Sequence, residues 1–458
     1  MRLSLADRLR DVVGAVATTG RDRALPNPQG GPDRVADLLG GEWQGSNGQR
    51  YLVVDRSYAP GHRHGRVAIM DGMPPPEGIW PGFRLLCGGD DGRSRQHALP
   101  EARSPQPEAD HFTSSVEPRL PRSQRLLFLD LETTGVAGGA GTYAFLVGCG
   151  WFDGATFRIR QFFLSSYGAE PALLQGVRLL AERAAGIVTF NGKSFDLPLI
   201  ETRYLFYRME TPFLDLPHVD MLHPARRLWR AGNDRAGGPP ASCRLSVLER
   251  SLCGVVRDGD VDGFEIPSRY FTYVRTGDPR PLEAVFEHNR LDLVLLALVS
   301  ARAAQLLEAG AEAARTGPEA LGLGRIYERA GLVNDAGACY TRVTRLPGDV
   351  VTRAEALRSY AVMCRRARRY ADAALAWQEI LALRRLPPRL AREATEALAI
   401  HHEHRQRDLQ AARRFALESL GFHESASREH LVRHRLARLD RKLARTGATP
   451  GAPFLPGV

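Results

Sequence analysis

The stretch RLLFLDLETTG at residues 125–135 predicts a buried β-strand that ends in a turn. Its acidic residues Asp130 and Glu132 lie two positions apart, so both side chains leave the same face of the strand. Because a carboxylate is costly to bury in an apolar run without a cation or hydrogen-bond partners, Asp130 is a candidate metal ligand. An Asp-x-Glu pair is common, however, and by itself indicates no function.

Segments that follow this strand complete an α/β pattern. TYAFLVGCGWF (142–152) and TFRIRQFFL (156–164) follow at hairpin-like distances, and both are rich in apolar, β-branched or aromatic residues. The spacing of apolar residues predicts a helix over 171–185, and IVTF (187–190) predicts a short buried strand. Strands that alternate with a helix in this order favour a mixed sheet flanked by helices.

Two later acidic residues also occupy positions suited to a site. Asp196, within IVTFNGKSFDLPLIETR (187–203), lies between a strand and a predicted helix start, where a simple helix cap is the alternative. FEHNRLDLVLLALV (286–299) predicts a helix that places His288 and Asp292 on one face, although a solvated pair is the usual fate of such a couple. Each of these segments alone is weak evidence for a functional site.

The combination predicts two-metal chemistry. Carboxylate oxygens suit hard divalent cations, so Mg²⁺ or Mn²⁺ is expected at the metal ligands Asp130, Glu132, Asp196 and Asp292. Two such cations about 4 Å apart stabilise both the attacking and the leaving oxygen of a phosphodiester. Histidine titrates near neutral pH, so His288 is the candidate to accept the proton of the attacking water.

The three segments DLETTG (130–135), NGKSFDLP (191–198) and HNRLD (288–292) resemble, in this order, the motifs of DEDD-type 3′–5′ exonucleases in the RNase H-like superfamily. The resemblance covers residues 125–307 and is greatest to the YprB-type RNase H-like group. It implies a mixed five-stranded sheet flanked by helices, metal-dependent phosphodiester hydrolysis, the four metal ligands above and His288 as general base. One departure is that His288 stands at the spacing at which the related enzymes carry a tyrosine.

For other polar residues near the motifs, the evidence of a role in the site is weaker. Asn191 and Lys193 are candidates to bind a substrate phosphate, although Asn-Gly is also ordinary turn chemistry. Asp220 is interpreted as structural. The GGAGT run at 138–142 is interpreted as a hairpin loop rather than a phosphate cradle, since no helix start follows it.

The C-terminal region is repetitive and helical. Alanines at 336, 373 and 411 recur at steps of 37 and 38 residues, and an aromatic residue follows each four positions later, namely Tyr340, Trp377 and Phe415. Stacked helix pairs close-pack in this way, and the pattern resembles tetratricopeptide-like repeats. Three ordinary helical hairpins are the alternative.

The boundaries expected from these patterns divide the chain into four parts. Residues 1–120 form an N-terminal region and Pro-rich linker without assigned function; it contains a short helix near Leu5–Val16 and a hairpin from Arg50–Asp55 and Arg66–Met70. The exonuclease-like domain spans 121–313, the helical repeats 318–446 and a flexible tail 447–458.

Composition bounds the class of protein. The 458 residues are 43% hydrophobic and 25% charged, which excludes a chain that is disordered, collagen-like or membrane-embedded as a whole. The N-terminus lacks a secretory pattern, and the six cysteines are scattered without CxxC pairing, as in a reducing cytosol. We therefore expect a cytoplasmic protein without a membrane partner.

The net charge of +10 suggests a polyanionic partner. Residues 318–458 contain 25 Lys and Arg against 15 Asp and Glu, a difference of +10, so the whole excess lies in the helical region. Nucleic acid, whether DNA or RNA, is the expected partner, and compositional drift of the genome is the alternative. The last basic helix, with Arg435, Arg438 and Lys442, is predicted to add salt-sensitive affinity. A protein partner for the repeats stays open.

The function predicted from these observations is a metal-dependent nuclease, specifically a 3′–5′ exonuclease with a two-metal mechanism. The alternative is a catalytically silent RNase H-like protein that binds nucleic acid or acts as a scaffold through its repeats. A third possibility is an endonuclease of the same fold, but the histidine of the last motif favours an exonuclease.

Overall fold

The computed structural model describes residues 32–46, 48–74, 85–86, 125–135, 141–229, 243–422 and 426–445. The short helix expected near Leu5–Val16, the linker before residue 122 and the tail 447–458 lie outside the described residues, as does most of the GGAGT run. The chain divides into two compact units. The first comprises Met1–Ile79, Ala98–Met221 and Leu248–Ala301, and the second comprises Trp80–His97, Leu222–Val247 and Arg302–Val458.

The first unit is built on a seven-stranded mixed sheet with the order β1-β2-β7-β6-β5-β8-β9. Its strands are β1 Glu42–Gln44, β2 Tyr51–Tyr58, β5 Arg125–Thr133, β6 Ala144–Asp153, β7 Thr156–Phe163, β8 Ala184–Thr189 and β9 His218–Asp220; the two-residue strands β3 Arg63–His64 and β4 Val67–Ala68 pair separately. β5 is antiparallel to β6 and parallel to β8, and β8 is parallel to β9. The remaining neighbours in the large sheet are antiparallel.

The helices follow the strands along the chain. They are α1 Pro32–Leu39, α2 Glu170–Ala181, α3 Asp196–Phe206, α4 Leu222–Trp229, α5 Leu245–Leu252, α6 Ile266–Thr276, α7 Glu283–Ala309, α8 Gly317–Arg329, α9 Val333–Arg345, α10 Val350–Arg366, α11 Tyr370–Leu381, α12 Pro388–His401, α13 Leu409–Leu420 and α14 Ala426–Arg445. A π-helical turn, His402–Gln406, follows α12. The α/β sheet followed by a helical region is the fold class that the sequence predicts.

The long apolar strands of the first unit are buried in its core. Every residue of β6 from Ala144 to Phe152 is buried, as expected for a strand covered on both faces. Buried side chains of β2 and β5–β8 pack with those of α1, α2, α3 and α6 in one cluster. A buried ion pair, in which Arg203 Nη2 lies 2.5 Å from Glu170 Oε2, links α2 to α3.

The sheet is wider than the five strands that the resemblance implies. β5–β9 supply those five, and β1 and β2 extend the sheet at the β7 edge. β2 pairs with β7 from Leu52 opposite Phe163 to Tyr58 opposite Phe157, which leaves β7 without an open edge. The hairpin predicted between residues 50–55 and 66–70 is therefore wrong. β2 pairs with β1 on one side and with β7 on the other, and Val67–Ala68 pairs with Arg63–His64.

The described residues of the second unit form a series of packed helices. α8 packs against α4 and α9, and successive pairs α10–α11 and α12–α13 follow, with α14 against α13. The recurring alanine and aromatic positions lie on α9, α11 and α13, and all six side chains are buried. Gly324 on α8 permits one such crossing, since a Cβ there would lie 2.6 Å from the Tyr340 ring.

One described helical segment, Arg280–Ala313, is long and apolar enough to cross a membrane by length and composition. However, 72% of its most apolar window is buried inside the protein, as in the core helix of a water-soluble domain.

Candidate metal centre and active site

Four carboxylates come from three elements of the first unit. Asp130 and Glu132 lie on β5, a strand bonded to neighbours on both sides, Asp196 begins α3, and Asp292 lies on α7. Burial raises the pKa of Glu132 well above its usual range, and the charges of Asp130, Asp292 and Asp196 raise it further. The three elements thus bring all four predicted ligands within mutual electrostatic range.

The other carboxylates have similar surroundings. Burial, followed by the charges of Asp292 and Asp196, raises the pKa of Asp130 well above its usual range. Burial and the neighbouring Asp220 raise the pKa of Asp196 to about 7. Four acidic groups in so little water repel one another, and a bound cation would remove this repulsion.

Asn289, which the sequence patterns do not single out, fixes the orientation of Asp130. Its Nδ2 donates to Asp130 Oδ2 at 2.8 Å, and its Oδ1 accepts from Gln161 Nε2 at 2.9 Å. Both amide side chains are buried. Gly148, opposite Asp130 in the sheet, makes room, because a Cβ there would lie 2.2 Å from Asn289 Oδ1.

Arg257 is a second residue that sequence reasoning missed. Its Nη2 donates to Asp292 Oδ1 at 2.6 Å, and its Nε donates to Glu249 Oε2 at 2.6 Å. The other oxygen of Glu249 lies 2.6 Å from His64 Nε2. The side chain of Arg257 is only 6% exposed, so this cation is a fixed part of the site.

His288 lies on α7 one turn before Asp292. Its Nδ1 lies 2.7 Å from Asp260 Oδ1, and its Nε2 lies 3.6 Å from Asp292 Oδ2. When Nδ1 donates to Asp260, Nε2 is the nitrogen left to accept a proton on the side of the carboxylates. Asp260 lies in the polar loop RDGDVD (257–262), whose composition predicts a turn but does not indicate a functional site.

The loop after β8 is held by Asp220. Its two oxygens accept hydrogen bonds from the backbone N–H groups of Asn191 and Lys193 at 2.7 and 3.1 Å. Asn191 has a φ of 70°, a left-handed conformation that asparagine tolerates. Asp220 therefore has a structural role, and the exposed side chain of Lys193 lies on a loop whose backbone is fixed.

The donor set fits a hard divalent cation, but the side chains do not form a closed cluster. Among the described residues, no group of three or more His, Cys, Asp or Glu side chains is arranged to hold a metal ion. Asp292 is instead engaged by Arg257, and Asp130 by Asn289. Carboxylate oxygens are the ligands that Mg²⁺ and Mn²⁺ prefer, so the composition of the site fits these ions.

A cavity of about 440 Å³ adjoins the carboxylates. Its lining includes Glu132, Asp196 and the aromatic ring of Phe195, which is 54% exposed. Such a volume, lined by both acidic and apolar residues, is within the range of small-ligand sites.

Comparison with known proteins agrees with this architecture. A family model described as RNase_H superfamily matches residues 127–304. The uncharacterized protein YprB of Bacillus subtilis (strain 168) is 36% identical over 172 residues, which are 37% of this chain. The chain spans 40% of the length of that relative.

Proposed function

Since a model of the RNase_H superfamily matches residues 127–304, we propose that the chain is a metal-dependent nuclease that hydrolyses phosphodiester bonds. The observation that carries the proposal is the convergence of Asp130, Glu132, Asp196 and Asp292. The pKa of each of these four carboxyl groups is raised, first of all by burial. Several desolvated acids close together are unfavourable unless cations offset their charge.

The chemistry assigns separate tasks to the residues of the site. The four carboxylates would hold one or two cations, Mg²⁺ or Mn²⁺, which supply charge stabilisation for a phosphoryl group. His288 accepts the proton of the attacking water at Nε2, while Asp260 holds its Nδ1. Asn289 keeps Asp130 in one orientation. Asn191 and Lys193 are proposed to face the substrate phosphate.

We further propose that the enzyme is a 3′–5′ exonuclease of the DEDD type. The order of the motifs on β5, α3 and α7, and the histidine one turn before the last ligand, support this choice. The cavity beside Glu132 and Asp196 is proposed to receive the terminal nucleotide. The domain is proposed to span 121–313, with tetratricopeptide-like repeats over 318–446 that bind nucleic acid or a protein partner.

We propose that the enzyme acts in the cytoplasm. Cysteines 149, 243, 253, 339 and 364 are free and buried, as suits a reducing compartment.

A catalytically silent binding protein is the second candidate, and one observation favours it. The Arg257 guanidinium already neutralises Asp292, as a built-in cation would do in a site that has lost its metal. The two candidates differ in a single measurable property, hydrolysis.

The test is degradation of end-labelled DNA and RNA, single-stranded and duplex, with Mg²⁺ or Mn²⁺. The native chain is compared with Asp130→Asn and Asp196→Asn, and with Asp153→Asn as a control, because Asp153 is half exposed at the end of β6. We expect metal-dependent products that the first two substitutions abolish and the control retains. A ladder from one end indicates an exonuclease and internal cuts an endonuclease. Equal activity of the site variants and the native chain, or no cleavage at all, would favour the silent protein.

A further inference from the structure

Two basic side chains of the last helix, α14, form ion pairs with one buried acid. Arg438 donates to Glu403 Oε2 at 2.7 Å, and Lys442 Nζ lies 2.8 Å from Glu403 Oε1. Arg435 is half-buried, and burial lowers its pKa. These contacts pair Arg438 and Lys442 with a buried acid, and the affinity of this helix for nucleic acid stays a prediction.

Exposed arginines without an ion pair to a described residue occur elsewhere in the helical unit, at two connections between paired helices. Arg365 and Arg368 lie at the end of α10 and in the turn to α11, and Arg405 and Arg407 lie in the connection from α12 to α13. None of these four, which we call the turn arginines, forms an ion pair with a described residue. In contrast, Arg366 beside them lies 3.2 Å from Glu328 Oε1.

The two connections occupy equivalent positions in consecutive helix pairs. Arg368 and Arg407 both have left-handed backbones, with φ of 60° and 58°. In the preceding pair, Gly331 has this left-handed conformation, with a φ of 77°. In both later turns the corresponding residue is an arginine.

A cavity of about 380 Å³ joins the two connections. Arg365 of the first connection and Arg405 of the second both line it, together with Trp377, His401 and His404. Its described lining contains no acidic side chain. The Arg405 guanidinium, which also lines the cavity, lies 3.8 Å from the centroid of the Tyr370 ring, as in a cation–π pair.

This combination matches the chemistry of nucleotides. Guanidinium groups bind phosphate through paired N–H donors, and their planes stack on bases. A cavity of this size accepts a small aromatic group, and the bases of a single strand are free to enter it, whereas those of a duplex are paired and stacked.

We propose that the turn arginines and the adjoining cavity form a binding edge for single-stranded nucleic acid. Phosphates contact Arg365, Arg368, Arg405 and Arg407, and a base enters the cavity beside Tyr370. The choice of nucleic acid over an acidic protein rests on the proposed function of the chain. Binding at this edge, however, requires neither metal nor cleavage.

The test measures binding without hydrolysis. Fluorescence anisotropy of a labelled oligothymidylate of about 15 nucleotides is recorded in EDTA at several salt concentrations, with the full chain. The test variant replaces the four turn arginines with glutamine. A control replaces four exposed, ion-paired arginines of the same unit with glutamine, namely Arg366, Arg389, Arg414 and Arg433. Both variants therefore have the same reduction in positive charge.

We expect the test variant to bind at least tenfold more weakly and to reduce the salt slope by about 3, at roughly 0.7 for each phosphate that is no longer bound. The control is expected to stay within about twofold of the native chain. Equal weakening in both variants, or none in either, would overturn the proposal. Equally tight, edge-dependent binding of polyglutamate of matched charge would also overturn it and indicate an acidic protein partner. Because the assay contains no metal, a failed binding edge and a failed nuclease are separate results.

Discussion

Arg257 Nη2 lies 2.6 Å from Asp292 Oδ1, so the carboxylate expected to hold a cation is already paired with a buried arginine. The same guanidinium lies against Glu249, whose side chain is 1% exposed. Arg257 therefore stabilises two acids that would otherwise repel each other in a poorly solvated site. A cation at Asp292 would compete with this arginine or share the carboxylate with it.

The first prediction concerns this ion pair. Arg257→Gln should lower the free energy of unfolding by about 3 kcal/mol, because it leaves Glu249 buried without a full partner. Adding Glu249→Gln should restore part of this stability. Urea unfolding of the two single variants and the double variant measures the coupling. Arg269→Gln, which breaks a solvent-exposed pair with Glu265, is the control and should cost less than about 1 kcal/mol. A double variant as unstable as the sum of the singles would contradict this explanation.

The second prediction concerns the positioning of His288. Asp260→Asn should reduce kcat of the proposed nuclease about 10- to 100-fold and leave KM nearly unchanged, because Asp260 Oδ1 lies 2.7 Å from His288 Nδ1 and orients the ring. Asp262→Asn, at an exposed position two residues away, is the matched control. A rise in KM with unchanged kcat would show that Asp260 serves substrate binding instead.

The third prediction follows from the space beside Asp130. Gly148→Ala should displace the Asn289 amide, whose Oδ1 would lie 2.2 Å from the new Cβ, and thereby release Asp130. We expect stability to fall by about 1–3 kcal/mol together with reduced metal affinity, as for Asn289→Ala. Thermal unfolding with and without Mn²⁺ measures both effects. Gly168→Ala, where nothing lies within 4 Å of the added Cβ, should change neither. Unaltered Mn²⁺ stabilisation in Gly148→Ala would count against the role of Asn289.

The fourth prediction is a pH dependence of the helical unit. Burial alone would raise the pKa of Glu403, but the hydrogen bonds from Arg438 and Lys442 lower it from 4.5 to about 2. A carboxylate with a lowered folded pKa stabilises the protein above its unfolded pKa, and this contribution is lost as pH falls.

Native chain and Glu403→Gln should therefore differ by about 3 kcal/mol in unfolding free energy near pH 7. The difference should shrink as pH falls from 4.5 toward 2. Chemical unfolding of both proteins at several pH values measures it, with Glu418→Gln, in a loose surface pair with Arg414, as the control. A difference independent of pH would mean that packing rather than charge is responsible.

The sequence predicted those parts of the fold that local patterns encode. The apolar run around Asp130, the start of α3 at Asp196 and the one-turn spacing of His288 and Asp292 each depend on neighbours a few residues away. The alternation of strands and helices after residue 125 follows from the same short-range rules.

The missed features depend on long-range contacts. β2 pairs with β7 about 100 residues away, and Asn289 reaches Asp130 across 159 positions. Arg257 and Asp260 lie in a loop whose composition indicates only a turn, and their partners are on α7. No periodicity or spacing marks such residues, because the fold alone brings them to the site.

The most direct test of the central claim is a titration of the metal-free chain with Mn²⁺. Binding is monitored by calorimetry or by the electron paramagnetic resonance signal of the free ion. We predict saturable Mn²⁺ binding by the native chain, strongly weakened in Asp130→Asn and Asp292→Asn and retained in Asp153→Asn. Absence of saturable binding, or equal binding by all four proteins, would contradict the claim that these carboxylates form a divalent-cation site.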